Sequence, residues 1–143
     1  MRNKETKKNN LSKLDYEKLA AFRYTLRQFL KFSEDEAQSA GLTPQQHQAL
    51  LAIKGFPGRE QITNKELAEW LQIKHHSAVG LVNRLESQNL ISRQQSNTDK
   101  REVYIMLTNQ GAALLERLSA AHQKELQQIA SQLSRMLESF TKA

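Results

Sequence analysis

Residues 63–107 read TNKELAEWLQIKHHSAVGLVNRLESQNLISRQQSNTDKREVYIML, and part-way along them the hydrophobic period switches from helical to alternating. Thr63-Asn64-Lys65-Glu66 has the Ser/Thr-x-x-Glu form of a capping box, and Leu67, Trp70 and Leu71 follow on one face of a short helix. After about three turn residues, Ala78, Leu81, Val82 and Leu85 form the i, i+3, i+4, i+7 series of a second helix with one buried stripe. Asn89 falls just past it, where a left-handed residue is expected and Asn is tolerated. Val103, Ile105 and Leu107 then share one face of an alternating run. Leu90 to Gln95 can pair with that run across the polar connection Ser96 to Lys100, which predicts a two-stranded antiparallel hairpin. Helix, tight turn, helix and hairpin in this order describe a winged helix-turn-helix, whose second helix enters the major groove of DNA.

Outward from this segment the chain is helical. Residues 1–12 form a basic tail, expected to be disordered because no apolar residue follows Met1 as far as Asn10. Leu14, Leu19, Phe22, Leu26, Phe29, Leu30 and Phe32 predict a long amphipathic helix within 13–41. Thr43-Pro44 has N-cap and N1 chemistry, and the helix it starts runs to Lys54, before Gly55 and Pro57. After Thr108, Leu115, Leu118, Leu126, Ile129, Leu133, Met136 and Phe140 follow a near-heptad spacing that implies a partner helix. The expected architecture is mainly α with a small two-stranded β wing: a winged helix-turn-helix domain (42–107) flanked by N-terminal (13–41) and C-terminal (108–143) dimerisation helices.

Composition narrows the function. The 143 residues contain no cysteine, which excludes disulfides, cysteine-ligated zinc and thiol redox chemistry within this chain. There is no glycine-rich phosphate loop, nucleophile elbow or HExxH, so an enzyme is not expected, nor a cofactor. The absence of an apolar run long enough to span a bilayer, or to follow the basic N-terminus as a signal peptide would, leads us to expect a cytoplasmic protein with no membrane partner. The net charge of +6 is unevenly spread: residues 1–13 carry five Lys/Arg against one Glu, while Lys74 to Arg101 carries five against two acids, a local +3.

That basic segment holds the candidate DNA-binding residues. With the stripe buried, the second helix presents Lys74, His75, His76, Ser77, Val79, Gly80, Asn83 and Arg84. His and Ser suit base edges, Val79 suits a thymine methyl, Gly80 permits close approach, and Arg84 suits a phosphate or an internal ion pair. In the hairpin, Arg93, Asp99, Lys100 and Arg101 are candidates, with Asp99 placed to orient an Arg101 that reaches the negative minor groove. Adjacent His75 and His76 point about 100° apart on a helix and have no acidic partner at ligand spacing, which disfavours a metal.

Several of these segments together resemble a known family. Leu42-Thr43-Pro44-Gln45-Gln46, Leu67-Ala68 with Leu71, Leu81-Val82-Asn83-Arg84-Leu85-Glu86, Asp99-Lys100-Arg101 and Leu107-Thr108-Asn109-Gln110-Gly111 look like the successive signatures of the MarR (multiple antibiotic resistance regulator) family. The similarity covers about residues 14–120, and the Asp-x-Arg wing followed by Leu-Thr-x-x-Gly is its most specific part. It implies a homodimeric bacterial transcription regulator, commonly a repressor, that binds a palindromic double-stranded DNA operator and is often released by a small aromatic or phenolic effector. By the same resemblance, Arg101 contacts the minor groove, Asp99 braces it, and His75 to Gly80 read bases. Arg23, Tyr24 and His47 are candidate effector contacts; surface positions for the first two, and a satisfied structural histidine for His47 and His122, are the simpler alternatives. The chain departs from the family pattern in Asn89 for glycine, in His47 for a large apolar residue, and in a short C-terminal segment without a break, which predicts a nearly continuous final helix. A winged-helix protein-interaction module without specific DNA binding is the competing function.

Overall fold

The structure, a computed structural model, describes residues 9–141; most of the proposed basic tail, residues 1–8, lies outside them. Ser12 caps the first helix α1 (Lys13–Ser39) through a capping box with Asp15. Thr43 does the same with Gln46 for α2 (Pro44–Lys54), with Pro44 in the first turn. A two-residue strand β1 (Gln61–Ile62) precedes α3 (Asn64–Leu71), which the Thr63/Glu66 capping box starts. Next come α4 (His75–Ser87), β2 (Ile91–Gln95), β3 (Val103–Leu107) and α5 (Asn109–Glu138), one uninterrupted helix of 30 residues.

The sheet corrects the sequence reading. It has three antiparallel strands in the order β1-β3-β2, not two. The expected hairpin is present, with Ile91 opposite Leu107 and Gln95 opposite Val103. The extra strand pairs Gln61 with Met106 and Ile62 with Ile105. Two residues carry no readable period, and the fully buried Ile62 side chain anchors this edge in the core. The turn joining α3 to α4 has the expected three residues, but the way it stops α3 gives no sign in sequence. Gln72 adopts φ 57°, ψ 46°, and Ile73 N–H donates to the Ala68 carbonyl at 3.0 Å, a left-handed helix stop made without glycine.

Leu50, Ile53, Ile62, Leu67, Leu81, Leu85, Ile91 and Ile105 form the centre of the core, contributed by α2, α3, α4 and all three strands. Burying each such side chain is worth about 1.5–3 kcal/mol. The α2 helix buries Gln46, His47, Ala49, Leu50, Ala52 and Ile53, more than one face, because it stands between the helix-turn-helix on one side and α1 and α5 on the other. Leu51, read from sequence as part of its apolar run, is instead 44% exposed. α1 and α5 run antiparallel: Phe22 meets Phe140 edge-on at 6.2 Å, and Phe29 and Phe32 meet His122.

Where the sheet joins α5, the Leu-Thr-x-x-Gly segment acts as a joint. The Thr108 N–H donates to the Leu90 carbonyl (3.0 Å), its hydroxyl donates to the Asn89 carbonyl (2.8 Å), and the same hydroxyl accepts from Gly111 N–H (3.0 Å). A Cβ on Gly111 would stand 2.0 Å from the Leu90 carbonyl oxygen, so only glycine fits. Asn89, at φ 61°, supplies the left-handed stop expected of it and donates from its side chain to Gln110 at 3.3 Å.

Candidate nucleic-acid interface

The buried stripe Ala78, Leu81, Val82 and Leu85 seats α4 on the core and turns its opposite face to solvent. Lys74 is the N-cap residue, and with no side-chain hydrogen bond there the first-turn amides of α4 stay open, at the positive end of the helix dipole. His75, His76 and Ser77 are exposed on that first turn, with Asn83 and Arg84 exposed further on. Val79 and Gly80 are half-buried, so the outward face is narrower than the sequence suggests. Arg84 folds back along the helix: its Nη1 lies 3.6 Å from the point a Cβ on Gly80 would occupy.

The wing tip is a closed turn. Ser96 N–H donates to the Glu102 carbonyl (2.9 Å), Glu102 N–H donates to the Asp99 carbonyl (3.0 Å), and the Ser96 hydroxyl accepts from Thr98 and Asp99 N–H (both 3.2 Å). Asp99 Oδ1 accepts from the Arg101 N–H at 3.0 Å and lies 3.5 Å from Arg101 Nε. The carboxylate thus aims a guanidinium whose side chain is 93% exposed. Lys100 is exposed beside it, its carbonyl held by Gln95 Nε2 at 2.7 Å.

Arg93 takes a place that its charge alone does not suggest. Its Nε donates to Glu86 Oε1 at 3.0 Å and its Nη2 to Asn83 Oδ1. Glu86 and Asn83 lie three residues apart on α4, so the contacts tie the base of the wing to that helix and commit one of the segment's five basic side chains to an internal ion pair. Spacing in sequence gives no sign of this tie, because it spans seven and ten residues across the α4–β2 corner.

The three proposed effector contacts do not converge. Arg23 and Tyr24 are exposed on α1, where the Tyr24 hydroxyl accepts from Gln28 Nε2 at 3.1 Å, and neither lines the cavity at His47. His47 is 3% exposed and lines an open-sided cavity of about 600 Å³ between α1, α2 and α5. Its ring lies 4.8 Å from that of His122. His122 is fully satisfied, Nδ1 facing the Leu118 carbonyl at 2.7 Å and Nε2 the Ser33 hydroxyl at 2.8 Å; a carbonyl only accepts, so Nδ1 carries the proton and Ser33 donates to Nε2. The His47 Nδ1 is buried without a partner, which corrects the view of it as a satisfied structural histidine. Burial, and secondly His122, hold its pKa below the usual histidine value. Among the described residues no group of three or more His, Cys, Asp or Glu is placed to hold a metal, and no helix is long and apolar enough to cross a membrane.

A helix-turn-helix whose second helix is open at its start, flanked by a wing with a braced arginine, defines a winged helix-turn-helix protein. The MarR family model matches residues 40–102. A transcriptional regulatory protein assigned to the hcr operon of Thauera aromatica is 31% identical over 106 residues, 74% of this chain and 62% of the relative. The organic hydroperoxide resistance transcriptional regulator of Bacillus subtilis is 33% identical over 91 residues, 57% of this chain and 62% of its own length. The crystal structure of the YusO protein from Bacillus subtilis shares the fold with a TM-score of 0.67 at 22% identity, covering 94% of each chain. The winged-helix segment of the chain is therefore similar to the MarR family. The matches span about three fifths of each curated relative's length.

Proposed function

We propose that this protein is a homodimeric, sequence-specific DNA-binding transcription regulator, a repressor of the MarR type, with α4 in the major groove of a palindromic operator and the wing in the minor groove. The observation that carries the reading is Arg101, thrust into solvent at the wing tip and aimed by Asp99, beside an exposed first turn of α4 that carries Lys74, His75, His76 and Ser77. Both curated relatives are transcriptional regulators, and a mutant of S. aureus MepR with the same fold (TM-score 0.66, 22% identity, 85% of this chain and 96% of that one) has been solved bound to an oligodeoxyribonucleotide. Dimerisation is supported by apolar side chains left on the outer surface of α1 and α5, among them Leu14, Leu19, Leu30, Leu126, Leu137 and Phe140. The bacterial cytoplasm is the setting this reading implies. The cavity at His47 is the place for a small aromatic effector that lowers DNA affinity. A response to hydroperoxide through a thiol cannot operate in this chain, which has no cysteine.

The test is a duplex selected from a random pool and titrated at several salt concentrations. Binding through several phosphates predicts a steep fall in affinity with salt, whereas a protein-interaction module predicts no retained duplex. Arg101→Ala is expected to cost about 1–3 kcal/mol of duplex affinity and to reduce the salt slope by about 1. Unchanged affinity in that variant at matched salt removes the wing from the interface.

A further inference from the structure

Arg93 does more than tie the wing to α4, because it also decides which way the Asn83 amide faces. The guanidinium is fixed independently of Asn83, by an ion pair in which Arg93 Nε lies 3.0 Å from Glu86 Oε1. Arg93 Nη2 then donates to Asn83 Oδ1. A guanidinium has donors and no acceptor, so of the two ends of the Asn83 amide only the carbonyl oxygen can face it. The Nδ2 end is thereby turned away from Arg93, and the bond to Arg93 is the one hydrogen bond that the Asn83 side chain makes among the described residues.

Asn83 is exposed, seven residues after His76 and three after Gly80 on α4, so the three share the outward side of the helix. Gly80 puts no side chain between Asn83 and His76. With α4 in the major groove, Asn83 meets the duplex with its two amide hydrogens and not with its carbonyl. That orientation denies it the usual asparagine–adenine pair, in which the carbonyl accepts from adenine N6 while the amide donates to N7. Guanine fits instead, since its O6 and N7 are both acceptors on the same edge. Adenine sets a donor beside its acceptor, thymine sets a methyl group beside its single acceptor, and cytosine offers a donor.

We propose that Asn83 reads a guanine in each half-site, and that Arg93, held by Glu86, is the positioning residue that denies it adenine. The inference rests on the reading of α4 as the recognition helix and adds a base preference with its origin.

Duplexes selected from a random pool by the full-length wild-type, Asn83→Ala and Arg93→Ala proteins test it. The wild type is expected to enrich guanine at one position of each half-site. Asn83→Ala should lose selectivity at that position alone, with about fivefold to tenfold lower affinity for the guanine duplex. In Arg93→Ala the amide is free to turn, so the ratio of guanine to adenine at the same position should fall at least about fivefold. A loosened wing by itself would weaken binding to all sequences alike and leave that ratio where it was. If Arg93→Ala binds too weakly for selection, Asn83→Asp takes its place: it still offers Arg93 an acceptor but presents a second acceptor instead of the amide hydrogens, so guanine should give way to cytosine. Uniform weakening in Asn83→Ala, with every base preference intact, overturns the proposal, as does guanine retained over adenine in Arg93→Ala or guanine retained in Asn83→Asp. A wild-type protein that enriches no sequence sinks the DNA reading itself, whereas an enriched site whose preferences are indifferent to these variants sinks this inference alone.

Discussion

Gly111 and Arg93 show how much one side chain decides at the junctions of this fold. At Gly111 the helix α5 begins against the Leu90 carbonyl, and a methyl group there would sit 2.0 Å from that oxygen. Backbone cannot move aside cheaply, so Gly111→Ala is expected to destabilise by about 1–3 kcal/mol or more, read as a lower denaturant midpoint with an unchanged m-value. Arg93, by contrast, is replaceable only by something that reaches both Glu86 and Asn83. If its role is to hold the wing against α4, Arg93→Ala and Glu86→Ala should each weaken duplex binding, the double variant should be no worse than either, and the salt slope should stay unchanged. A slope reduced by about 1 in Arg93→Ala alone would make Arg93 a phosphate contact instead. The candidate residues were legible in sequence as residue types on a helix and hairpin; that Arg93 is engaged within the protein, while Arg101 is free to reach outward, depends on packing across the α4–β2 corner.

Among the elements, α2 carries the largest consequence. It touches α1, α3, α4, α5 and the sheet, so its one buried ionisable group sits between the winged helix-turn-helix and the terminal helices. His47 faces His122 of α5, which is held by Ser33 of α1 and the Leu118 carbonyl, with Glu116 of α5 at the cavity edge. Because the folded-state pKa of His47 lies below the unfolded value of 6.5, the unfolded chain binds the proton more readily. The stability this contributes is complete above about pH 6.5 and is lost as pH falls from there through the folded-state value. Thermal midpoints measured from about pH 8 down to 5 should therefore decline below 6.5, and the part of the decline due to His47 should vanish in His47→Leu. A decline of the same size in that variant would assign it to other groups. Sequence placed His47 on an apolar helix but not against a second histidine 75 residues away.

For the whole molecule, the antiparallel α1–α5 pair leaves an apolar surface that one copy does not cover. Leu126, on the near-heptad stripe, and Leu137, beside it, are 42% and 53% exposed, and Leu126→Glu with Leu137→Glu should convert a dimer into a monomer by light scattering. Loss of the second half-site contact should then cut affinity for a full palindrome by about 10²–10⁴. If the double variant stays dimeric, the seam lies elsewhere. Local chain chemistry was enough for the caps at Thr43, Thr63 and Thr108, the amphipathic stripes, the helix-turn-helix, the hairpin and the unbroken final helix, because each of these arises from residues close along the chain, where hydrophobic period and backbone hydrogen-bond demand leave few choices. Only the tertiary structure decided the third strand, the left-handed stop at Gln72, the Arg93 tie, the exposure of Leu51 and the unpartnered nitrogen of His47. Each of those is set by which distant surfaces meet, through long-range packing that leaves no local periodic trace.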